Sequence, residues 1–171
     1  MFEIGESQEF YEYRFAGGKN NSYIFDTDNK ITYEIKFVPS GYLFEETHPA
    51  RDFTYEYIIS VLDNNTGKNP PLDKKIPITL ALIFQDFFEE NRNVGVYICD
   101  SSDDKQAIRF RKFNIWFYHF KGTLFNKIDF PIKDKNGVFI YTSLIMRTDN
   151  PNYKVVVDGY LQIMEEATTD K

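Results

Sequence analysis

A chain of 171 residues with 42% apolar side chains is long enough to bury a core without disulfides or a metal. It reads as one globular domain over 1–171, with a tail frayed from about 165. Phe and Tyr dominate an aromatic content of 18%, side chains that favour strands and bury large areas. A net charge of −6 disfavours a general nucleic-acid binder, and the single Cys99 excludes an internal disulfide. No apolar run approaches the roughly 18 residues of a membrane span. Glu3, Glu6, Glu9 and Glu12 stand where a secretory signal needs basic residues, so the expected compartment is the cytoplasm.

The first third predicts antiparallel sheet. Phe10–Phe15, Ile31–Phe37 and Phe53–Ile59 alternate large apolar with polar residues, the two-residue period of a half-exposed strand. Tyr33, Ile35 and Phe37 share one face, as do Tyr55, Tyr57 and Ile59; Glu34, Lys36, Thr54 and Glu56 lie opposite. Tyr23–Phe25 predicts a short strand paired with Ile31–Val38, and Gly17–Gly18 a hairpin turn. Asp63–Asp73, with Gly67 and Pro70–Pro71, predicts a long loop.

The period then changes. Ile76, Leu80, Ala81, Ile83, Phe84, Phe87 and Phe88 fall on one arc at about 100° per residue, a helix over Ile76–Asn91 with Pro77 in its first turn. Val94–Cys99 predicts a strand buried on both faces. A second helix is predicted over about Asp103–Phe120, ended by Gly122. Beyond it the reading is a loop over Phe125–Asn136, a buried strand over Val138–Met146, and a strand over Tyr153–Val157. The segment from Asp158 to Ala167 reads either as continuing strand through a bulge or as helix.

The fold class is therefore α+β: a largely antiparallel sheet of six to seven strands with two main amphipathic helices. From Tyr23 to Met164 the element order resembles the second part of the GNAT acetyltransferase superfamily, where three antiparallel strands lead into helix, strand, helix and a closing hairpin. That resemblance implies an acyltransferase-like activity. The superfamily signature is a pyrophosphate loop R/Q-x-x-G-x-G/A joining the third strand to the helix. Here Gly67–Lys68 stands at that place and the motif is absent.

Between Lys105 and Lys121 this acidic chain has basic side chains and no acidic ones. Phe110, Phe113, Phe117 and Phe120 form a stripe at core spacing, and Arg111, Lys112 and His119 lie opposite. Arg109 falls within the aromatic arc near Trp116, where a guanidinium either stacks and pairs with a carboxylate or runs along the apolar edge to solvent. Asp100, Asp103 and Asp104 are its natural partners; they also suit a capping turn at the helix start. The functional alternative is a polar site at the carboxyl end of a buried strand, with Asp100, Asp104, Lys105, Arg109 and Trp116 as candidate ligand-binding residues. The block C-D-x-x-D-D-K-Q-A-x-R-x-R-K-F-x-x-W resembles a pattern of small uncharacterised bacterial proteins and implies no activity.

One Cys and two distant His give no zinc set, and His48 and His119 accompany no nucleophile motif. Phosphate-loop and dinucleotide fingerprints are absent, and no cofactor is indicated. These observations favour a non-catalytic binding domain whose partner is another protein or a small anionic ligand. The alternatives are a divergent acyltransferase-like enzyme, or single-stranded nucleic-acid binding through the basic aromatic helix.

Overall fold

The computed structural model describes residues 8–99, 105–133 and 137–169. Its strands are β1 (Tyr13–Gly17), β2 (Ser22–Asp26), β3 (Ile31–Pro39), β4 (Thr54–Asn64), β5 (Val94–Cys99), β6 (Phe125–Lys133) and β7 (Phe139–Arg147). Its α-helices are α1 (Lys75–Phe87), α2 (Gln106–Phe120) and α3 (Tyr153–Thr169). Among the described residues the strands form one seven-stranded sheet in the order β1-β2-β3-β4-β5-β7-β6. All neighbours are antiparallel except β4 and β5, which run parallel. The architecture is α+β. Three antiparallel strands, helix, strand, helix and a closing hairpin follow in the order anticipated.

Alternation decides the faces. Tyr33, Ile35, Phe37, Tyr55, Tyr57 and Ile59 join the core beneath α1 and α2. Glu34 turns to the opposite face, where Ser22 Oγ donates to it at 2.5 Å and Lys36 pairs with it at 3.0 Å. α3 covers the second face over β5, β7 and β6, burying Val156, Tyr160 and Met164 against Val94, Val96, Leu144 and Met146.

Two segments depart from the sequence reading. Phe125–Asn136 was expected as a loop because of Pro131, yet Phe125–Lys133 is a strand. β6 is an edge strand, the one place in a sheet where proline's missing N–H is harmless. Tyr153–Val157 was expected as a strand, yet it opens α3. The β-branched run at 155–157 favours extension, but the i, i+4, i+8 set of Val156, Tyr160 and Met164 offers a helical face for burial, and burial outweighs propensity. Asn150 Oδ1 accepts from Asn152 N at 2.8 Å and turns the chain into that helix, which settles 158–167 as helical and extends into the expected tail. α2 is described from Gln106, so the anticipated start near Asp103 lies outside the described residues. β1 begins at Tyr13 rather than Phe10, because Tyr11 N donates to Thr79 Oγ1 of α1 (2.9 Å) instead of joining the ladder.

Gly95 of β5 lets α1's C-terminal ring approach the sheet. A Cβ there would stand 3.1 Å from Phe88 Cζ and 3.4 Å from Tyr57 Cδ1, both fully buried rings with no room to retreat. Gly95→Ala should therefore lower unfolding stability by about 1–3 kcal/mol in urea titration; unchanged stability would mean that this contact is loose.

Candidate functional site

The one parallel pair in the sheet is short. β4 and β5 are in register only over Thr54–Val94, Tyr55–Gly95 and Glu56–Val96, although β4 runs on to Asn64 and β5 to Cys99. Where the ladder ends, aromatic rings take over. Tyr57 stacks on Tyr97 with centroids 5.1 Å apart, and Phe113 of α2 lies 5.3 Å from the first ring and 5.5 Å from the second. Phe84 of α1 meets Tyr57 edge-on at 5.0 Å. The Tyr57 hydroxyl is fully buried without a hydrogen-bond partner among the described residues, and burial pushes its pKa well up.

From Tyr97 a polar row crosses the sheet beneath α2. Tyr97 pairs in register with Ser143, and Ser143 with Asp129. Ser143 Oγ donates to Asp129 Oδ1 at 2.7 Å, and the Lys127 ammonium, its side chain wholly buried, donates to the same oxygen. Asn114 of α2 reaches Asp129 Oδ2 at 3.5 Å, and Lys127 Nζ lies 4.9 Å from the centre of the Phe110 ring. Desolvation lowers the Lys127 pKa, and Asp129 works against that shift. On β5, Tyr97 Oη donates to Cys99 Sγ and the thiol to Gln106 O, both at 3.3 Å. Burial and the bond to Cys99 raise the Tyr97 pKa, while the Arg109 guanidinium, hydrogen-bonded to the phenol, pulls it down. Partly buried under α2, this row ties the helix to β5 and β6.

An open concavity lies at the other end of α2. Three adjoining hollows share Pro77 and Trp116, where α1's first turn meets α2. The narrow one, about 20 Å³, is an apolar slit between the helices floored by Phe84 and Phe113. A hollow of about 490 Å³ opens beside it, walled by Ile78, Ile115 and Phe120 and rimmed by Glu9, Lys74, Lys75 and His119. A third of about 180 Å³ lies under Pro70–Pro71 with Lys112 at its edge. Lys112 Nζ sits 4.9 Å from the Trp116 ring centre. Asp73 Oδ1 accepts from Lys75 N at 2.9 Å and so fixes the start of α1 at the groove.

The sequence-predicted site residues separate. Arg109 is half-buried at the end of β5 with Tyr97, Trp116 lies in the α1–α2 groove, and Lys105 is exposed at the start of α2. The cation over Trp116 is Lys112. Asp100, Asp103 and Asp104 lie outside the described residues. As the stripe predicted, Phe113, Phe117 and Phe120 are buried, which removes them from any base-stacking role. His48 packs on Phe44 (4.1 Å) with Ala50 N donating to its Nδ1 (3.2 Å), and its Nε2 lies 3.4 Å from Val155 O of α3, which ties the 41–53 segment to that helix. Pro77 was expected only as a first-turn proline, and the groove's Lys74 and the row's Lys127, Asp129 and Ser143 were not among the expected site residues. Among the described residues no group of three His, Cys, Asp or Glu could hold a metal, and no helix is long and apolar enough to cross a membrane.

A family profile described as a family of unknown function (DUF6169) matches residues 72–162, which hold α1, α2, the first part of α3, the polar row and the helical walls of the groove. The chain belongs to that family. No curated protein matches the chain. Among solved structures, a CoA-dependent acyl-homoserine lactone synthase, MesI, aligns at 14% identity with a TM-score of 0.35. The alignment covers 80% of this chain and 66% of that one, just under two thirds of its length. A likeness of that size supports no statement about function.

Removing one partner of a buried ion pair strands the other charge. Asp129→Asn should destabilise the protein by about 3–5 kcal/mol, and adding Lys127→Met should recover most of that loss. Urea unfolding of the single and double variants measures both; no recovery in the double variant would mean that Lys127 is not held by Asp129.

Proposed function

We propose that the protein is a non-catalytic, cytoplasmic binding protein that takes a small anionic ligand in the groove between α1 and α2. The observation that carries this reading is the meeting of three adjoining hollows at Pro77 and Trp116, with an apolar floor and Lys74, Lys112 and His119 at the rim. Concave apolar sites with a few placed polar groups are the usual form of small-ligand sites, and about 490 Å³ lies within their common range of roughly 300–1,000 Å³. Against catalysis stands the separation of the titratable groups: the Tyr97–Cys99–Arg109 set and the Lys127–Asp129 pair line none of these hollows. The family's unknown function leaves that reading open.

One observation favours a second reading, an acyltransferase-like enzyme. The β4–β5 ladder stops after three pairs, as in the superfamily that the element order resembles, whose cofactor cleft lies between splayed strands. Two observations weigh against it. The rings of Tyr57, Tyr97 and Phe113 fill the parting, and the β4–α1 connection carries Pro70–Pro71 in place of a glycine-rich pyrophosphate loop.

Trp116 is the only tryptophan, so its emission reports on the groove directly. Titration with phosphate, carboxylates, nucleotides and acyl-CoAs should give a saturable change and a matching rise in thermal stability for at least one anion, weakening as salt rises. No response to any anion, or binding indifferent to salt, contradicts the proposal. Stabilisation by acyl-CoA accompanied by release of free thiol moves the assignment to the enzyme.

A further inference from the structure

We infer that the ligand is an amphipathic monoanion, an apolar chain ending in a single carboxylate; this rests on the anion-binding reading of the groove. The head is set by the rim. The charged residues lining the two larger hollows are Lys74, Lys75 and Lys112 against Glu9 and Asp73, a surplus of one positive charge. Of these cations, Lys75 is already held by Asp28 at 3.0 Å and Glu9 at 3.4 Å, and Lys112 lies over the Trp116 ring. Lys74 is exposed at the start of α1 with no ion pair among the described residues. One uncommitted ammonium beside a carboxylate suits one negative charge. Polyphosphates are better held by several cations and a nest of backbone N–H groups, and the Pro70–Pro71 connection offers fewer of those.

The tail is set by the walls. Pro77, Ile78, Ile115, Trp116 and Phe120 line the hollow of about 490 Å³ that Lys74 borders. Ile115 stands 61% exposed on α2, an apolar side chain at the mouth of an apolar hollow. A chain laid there covers Ile115 and the Trp116 ring together while its carboxylate reaches Lys74. The slit of about 20 Å³ between the helices admits no chain as it stands, so the tail lies along the groove and not between α1 and α2.

The test follows Trp116 emission in the folded protein, with decanoate, decylammonium, acetate and phosphate as probes kept below micelle-forming concentration. Decanoate should saturate, with acetate weaker by about tenfold or more, since each buried methylene contributes about 0.8 kcal/mol, and decylammonium weaker by about threefold or more, since its head repels the Lys74 ammonium. Lys74→Glu should weaken decanoate by about threefold, in line with an exposed charge pair. Ile115→Asp should weaken it by about tenfold, and both exposed positions leave the thermal midpoint in place. Acetate or phosphate binding as well as decanoate overturns this inference and leaves the anion-binding reading standing. Decylammonium binding as well as decanoate, or no saturable response to any probe, overturns both.

Discussion

The parallel contact between β4 and β5 lasts three residue pairs, and the rest of the molecule is arranged around what fills the place where it stops. An open sheet cannot leave a parting unfilled without exposing backbone N–H and C=O groups to a void. Tyr57 and Tyr97 close it from the strands, and Phe113 and Phe84 close it from the two helices above. Those same rings hold α1 and α2 over the sheet. Because the helices lean on a shared aromatic cluster, their outer ends stand apart, and the groove at Pro77 and Trp116 is the consequence. The proposed ligand site thus lies beside the parting and not within it.

The polar row works on the other flank of the same cluster. A buried lysine is costly, and a buried ion pair is weak support for overall stability. Its contribution here is one of position: Asp129, held by Lys127 and Ser143, meets Asn114 of α2, and Lys127 lies against the Phe110 ring, so sliding α2 along β6 would break both contacts. Aromatic packing alone tolerates such slips more easily, because rings have many near-equivalent contacts. The apolar cluster therefore supplies most of the burial, and the row fixes where α2 lies on the sheet.

Much of the fold was legible in the sequence where a single period ran uninterrupted. The alternation of Tyr33, Ile35 and Phe37 located β3 and its buried face, and the aromatic spacing from Phe110 to Phe120 located the inner face of α2. Legibility failed where local chemistry and tertiary context disagree. Pro131 masked the alternation of Lys127, Asp129 and Pro131 because edge position is a property of the sheet. The valines at 155–157 spoke for a strand until α3's burial face was known. For the site, Trp116 was visible as a lone ring on a basic helix, but its neighbours Pro77 and Lys74 come from a segment some forty residues earlier. Arg109 looked like a partner for Trp116 because helical projection alone omits the strand below, where Tyr97 draws the guanidinium inward.

Aromatic rings seal the parting of β4 and β5, which leaves the groove outside it to the proposed ligand. The stability of Tyr57→Phe tests this most directly, because its hydroxyl is the polar atom that a sealed parting leaves without a partner. Removing a buried, unpaired hydroxyl should leave the urea midpoint unchanged or raise the unfolding free energy by about 1 kcal/mol. A loss of about 1 kcal/mol or more would show that the hydroxyl is hydrogen-bonded to water or ligand in solution, and that the parting is open.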